Sequence, residues 1–135
     1  MAPKVLVVHD EAGLALMLQD MLRLAGCEVS ACHDAPAAFE ALAEEGFGVV
    51  LVKVFLSEHP DGLDLADYIL AEYPHTSVIL LNGCADEPEN DLDRRSGVFA
   101  RVSKPFNVDD ILRVVGTALE DNPPRRINPG AALRL

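Results

Sequence analysis

The sequence predicts an α/β fold, a doubly wound parallel sheet of five strands with helices on both faces. Three observations carry that expectation. Short apolar runs of strand length alternate with amphipathic stretches along the whole chain. The runs are apolar along most of their length rather than on alternate residues, as a parallel sheet covered on both sides requires. The 135 residues leave room for one domain, and right-handed crossovers turn such an alternation into a doubly wound sheet. Residues 1–120 are expected to form that domain and 121–135 an extended or disordered tail.

Val5-Leu6-Val7-Val8 is a β-branched run followed at once by His9-Asp10-Glu11. From Ala12 to Ala25, Leu14, Leu18, Met21 and Leu22 recur at helical spacing, and Gly26 suits the helix end. Cys27 to Cys32 reads as a second strand. Asp34 then caps a helix from Ala35 to Glu45, with Pro36 in the first turn, where its missing N–H costs nothing. Val49 to Val52, continued by Lys53-Val54-Phe55, is the third strand. Ser57 to Gly62 has loop chemistry, with Pro60-Asp61-Gly62 as a turn. Leu63, Ala66, Ile69 and Leu70 mark a helix that stops before Pro74. Ser77 to Leu81 is the fourth strand, closing on Asn82-Gly83. Asp86 to Ser96, with Leu92 as its one large apolar residue, is expected to be a short helix. Val98 to Val102 is the fifth strand, Ser103-Lys104-Pro105-Phe106 a turn, and Val108 to Leu119 the last helix. Asn122-Pro123-Pro124 ends regular structure.

Composition narrows the function. The formal charge of −11 opposes a nucleic-acid binder, which needs a basic face for phosphates. The acidity is uneven: residues 1–120 carry 8 basic and 21 acidic side chains, residues 121–135 carry 3 and 1. The chain has no long apolar run for a membrane span and no signal peptide, so a cytoplasmic protein is expected. Cys27, Cys32 and Cys84 form no CxxC pair and read as reduced, mostly buried thiols.

In a sheet of this kind function sits at the carboxyl edge of the strands. That edge presents His9, Asp10 and Glu11 after strand one, Lys53 at the end of strand three, Asn82 after strand four and Lys104 after strand five. In this order, with the Asp61-Gly62-Leu63 loop and Lys104-Pro105-Phe106, the set resembles the receiver domain of two-component response regulators over residues 3–120. The resemblance implies a flavodoxin-like sheet of order 2-1-3-4-5. It also implies an aspartate at the end of strand three that takes a phosphoryl group from a histidine kinase. Mg²⁺ is then held by that aspartate and an acidic pair after strand one. A lysine before the strand-five proline contacts the phosphoryl group, and a Thr or Ser ending strand four registers it.

Lys104 and Asp10 match that pattern, and the rest departs. His9 replaces the first acid, Asn82 the Thr or Ser, Arg101 the aromatic often found in the switch, and Lys53 the phosphoacceptor; the loop from Lys53 to Asp61 is one residue longer than is usual in the family. Neutral His9, Asp10⁻, Lys53⁺ and Lys104⁺ sum to +1, where the family's three carboxylates and one lysine sum to −2. At ~4 Å and intermediate effective dielectric each ammonium repels a divalent cation by several kcal/mol. Mg²⁺ binding is therefore expected to be lost, with no cofactor in its place. Asp10, with Glu11 as a second carboxylate, is expected to pair with the lysines and lock the site. His9 reads as a surface-edge histidine bonded to a neighbour, and Asp61 as a turn former rather than a displaced phosphoacceptor.

The expectation is a stand-alone, degenerate receiver, not an enzyme, acting through protein partners such as a histidine kinase or a downstream effector. The family's partner surface, here Asp86 to Asp93, Arg101 and Phe106, leaves a homodimer open. Two alternatives stand beside it. One is an active receiver phosphorylated on a non-standard residue. The other is a nucleotide- or flavin-binding domain of the same topology, opposed by His-Asp-Glu-Ala-Gly where a glycine-rich phosphate cradle would lie.

Overall fold

The computed structural model describes residues 3–53, 62–82, 100–103, 108–120 and 133–134. Its elements run β1 (Lys4–Val8), α1 (Ala12–Leu24), β2 (Glu28–Cys32), α2 (Ala35–Glu44), β3 (Val49–Lys53), α3 (Gly62–Glu72), β4 (Ser77–Asn82), β5 (Ala100–Ser103), α4 (Val108–Glu120) and β6 (Leu133–Arg134). The strands form one sheet in the order β2-β1-β3-β4-β5-β6, and every pairing is parallel. The helix expected at Asp86 to Ser96 lies outside the described residues, as do Asp61, Cys84, Lys104 and Phe106.

Alternation along each strand divides the core in two. Val5, Val7, Val49, Leu51, Ile79 and Leu81 face α1 and α4, meeting Leu18, Leu22, Ile111 and Val115. Leu6, Val8, Val50, Val52, Val78 and Leu80 face α2 and α3, meeting Leu42, Leu65 and Ile69. This is why the strands read as unbroken apolar runs: both pleat faces are dry. At about 2–5 kcal/mol for each large-to-alanine truncation in such a core, these two layers dominate the stability.

Local signals set the helix ends. Asp34 accepts from the Ala37 N–H at 2.9 Å, and Pro36 sits in the first turn of α2. Gly26 takes φ +98° after α1. There its N–H reaches Arg23 O and the Cys27 N–H reaches Leu22 O, both at 3.0 Å, which satisfies the last carbonyls of the helix.

The sheet corrects the five-strand expectation. Leu133 and Arg134, within the tail expected to be extended or disordered, pair with Ala100 and Arg101 as a sixth strand. Two residues carry no periodicity to read in a sequence; the outer edge of β5 offers the unpaired backbone groups that order them. No described helix is long and apolar enough to cross a membrane.

Candidate functional site at the carboxyl edge

β1 ends at Val8, but the ladder continues for one rung, because the His9 N–H donates to Cys32 O at 3.0 Å. That rung draws the His9 side chain inward until it is 1% exposed. The sequence placed His9 at a surface edge, and the structure buries it instead. Its Nδ1 accepts the Glu11 N–H at 3.0 Å. A nitrogen that accepts carries no proton, so this contact fixes the neutral ring with its hydrogen on Nε2. The His9 carbonyl in turn accepts from His33 Nδ1 at 3.2 Å, tying the ends of β1 and β2 together.

Asp10 follows, with Oδ1 2.8 Å from Lys53 Nζ. The two side chains are 15% and 18% exposed, so the pair is largely withdrawn from water. Lys53 reaches it because it is the last residue of β3, one step beyond the Val8–Val52 rung. Asp10 Oδ1 also lies 3.7 Å from His9 Nδ1. Both atoms are acceptors there, so that approach is proximity and not an ion pair. Glu11 stands outside the pair; it is exposed at the start of α1, and its side chain makes no capping bond.

The backbone puts Asn82 at the end of β4, opposite Ser103, the residue before Lys104. Arg101 lies in β5 between Leu80 and Arg134. The structure thus pairs Asp10 with Lys53, sets His9 Nδ1 3.7 Å from Asp10, and brings the Asn82 backbone to the same edge of the sheet. Among the described residues no group of three or more His, Cys, Asp or Glu side chains converges as a metal site. Sequence reasoning named the Asp10–Lys53 pair but missed the bond from the Glu11 amide to His9 and the role of His33. The available signal for His33 was its position one residue after β2, level with His9.

Residues 5–116 match the sequence model of the response regulator receiver domain. The chain belongs to that family. The receiver is 36% identical over 117 residues to the response regulator protein FleR of Pseudomonas aeruginosa, covering 85% of this chain and 24% of FleR. It is 27% identical over 115 residues to the response regulator receiver protein CpdR of Brucella abortus, covering 83% and 92%. The crystal structure of the receiver domain of NtrX from Brucella abortus superposes with a TM-score of 0.78 at 28% identity, covering 86% and 98% of the two chains. This receiver spans only 24% to 55% of the length of FleR, NtrX of Azorhizobium caulinodans and five further curated relatives. Receivers of this family are signalling modules that interact with kinases and effectors, and the flavodoxin-like parallel sheet with its helices is theirs.

Proposed function

We propose that this receiver carries no phosphoryl group at the end of β3 and signals through protein–protein contact. Its site is held by the Asp10–Lys53 ion pair in place of a metal ion. The observation that carries the reading is the 2.8 Å contact between Lys53 Nζ and Asp10 Oδ1 at the position where the resemblance puts the phosphoacceptor. An amine offers no carboxylate from which an acyl phosphate forms. The described residues also do not fit Mg²⁺, which needs several oxygen ligands around a hard cation. Asp10 is a single carboxylate already matched by an ammonium, and His9 Nδ1 is occupied by the Glu11 amide. The site is therefore fixed in one state, and the partner, a kinase or an effector in the cytoplasm, reads a constant surface.

The test compares denaturant midpoints with and without Mg²⁺ at matched ionic strength. The native chain is expected to show no shift. The His9→Asp, Lys53→Asp variant restores three carboxylates and is expected to gain about 2.7 kcal/mol when Mg²⁺ is at one hundred times its Kd. A specific Mg²⁺ shift in the native chain would overturn the proposal.

A further inference from the structure

The sheet has two lateral edges, and they are finished differently. On the β2 side the Glu28 N–H donates to Pro3 O and the His9 N–H to Cys32 O, so residues 28 and 32 face β1. Alternation along the strand turns the Val29 backbone outward. There the Arg23 guanidinium donates to Val29 O at 3.3 Å. A side chain from α1 thus occupies an edge carbonyl that an added strand would need.

On the other side, β5 is four residues long and β6 only two. β6 pairs with Ala100 and Arg101, and among the described residues no strand lies beside Val102 and Ser103 on that side. The register adds a second weakness, because it sets Arg134 opposite Arg101. Like charges at facing positions of neighbouring strands destabilise the pairing, and opposite charges support it. A pairing of two residues, held by few hydrogen bonds and opposed by its own charges, lies at the low end of local stability. One strand is then readily exchanged for another. The acidic remainder of the chain does not decide which strand, since charges beyond a Debye length of ~8 Å are screened.

We propose that the outer edge of β5 is a strand-docking surface for an extended, acidic segment of a protein partner, which adds along Ala100–Ser103 and displaces Leu133–Arg134. Main-chain hydrogen bonds supply the affinity, over four residues in place of two, and a carboxylate opposite Arg101 supplies the preference. The docking surface rests on signalling by protein contact. Its test needs neither Mg²⁺ nor a phosphoryl group, so its failure and that of the locked site are told apart.

The probe is a fluorescent peptide of residues 127–135 carrying Arg134→Glu, titrated against the full chain beside the unaltered peptide. By anisotropy, the acidic peptide is expected to bind about fivefold more tightly than the unaltered one. Arg101→Glu in the full chain is expected to reverse that order. Leu133→Pro, Arg134→Pro in the full chain removes both N–H groups of β6 and frees the edge. It is expected to tighten binding of the acidic peptide about tenfold, because β6 no longer competes. In the unaltered chain, the amides of residues 100–103 should exchange hydrogen more slowly when the acidic peptide is bound. Equal affinity for the two peptides, or an order unmoved by Arg101→Glu, would overturn the proposal. So would acidic-peptide binding that is absent from the double-proline chain or no tighter there than in the unaltered one.

Discussion

At the carboxyl edge of the sheet, β1 and β3 end on Asp10 and Lys53, charged groups 2.8 Å apart and less than one-fifth exposed. At the amino edge the same two strands start beside another ion pair, Lys4 with Glu45, at 3.4 Å and about two-fifths exposed. The pairs share their chemistry and differ in solvent. An exposed pair is screened and loses as much in side-chain freedom as it gains from attraction. A withdrawn pair leaves an uncompensated charge if either partner goes. Both ends of the sheet thus carry an ion pair, and the carboxyl-edge pair is the one withdrawn from water.

The largest expected effect falls on the layers between the two ends. Leu51→Ala removes a side chain with no exposure from the α1/α4 layer, and should lower unfolding free energy by about 3 kcal/mol in a denaturant titration. The two ion pairs are then separated by substitution. Lys53→Ala should destabilise by about 1–3 kcal/mol, and the Asp10→Ala, Lys53→Ala double variant by less than the sum of the single changes. Equal, additive losses would mean that the two groups do not interact. The Asp34→Ala change removes the α2 cap and should cost about 1 kcal/mol in the same measurement. Lys4→Ala, at the exposed pair, should cost about 0.5 kcal/mol or less. A loss at Lys4 as large as that at Lys53 would erase the distinction between the two ends.

The cysteines give the smallest effect. Burial pushes the Cys27 and Cys32 thiols up from their ordinary value, and the nearby Asp34 charge adds to this at Cys32. A thiol whose folded pKa is raised binds its proton more tightly folded than unfolded. Stability should therefore fall as pH climbs past the unfolded thiol value, and Cys32 should react with a disulfide reagent more slowly than a free thiol at the same pH.

β1 to β5 were legible in the sequence as short apolar runs, and α1, α2, α3 and α4 because their apolar residues recur at helical period. The Asp34 cap and Gly26 were legible because their chemistry is local. The Asp10–Lys53 pair was legible because a parallel sheet sets the ends of strands one and three, 43 residues apart in sequence, at one edge. The burial of His9 was not legible. It follows from one extra ladder bond to Cys32 and from the Glu11 amide, and neither leaves a mark in residue type. β6 was hidden for a related reason, since a two-residue strand paired to the edge of β5 has no periodicity to read in the sequence.

The most direct test of the carboxyl-edge account is intact mass spectrometry of the full chain after incubation with a small-molecule acyl phosphate donor and Mg²⁺. The His9→Asp, Lys53→Asp variant is treated alongside. The account predicts no phosphoryl addition to the native chain and addition to the variant at residue 53. A stable phosphoryl group on an aspartate of the native chain would contradict it.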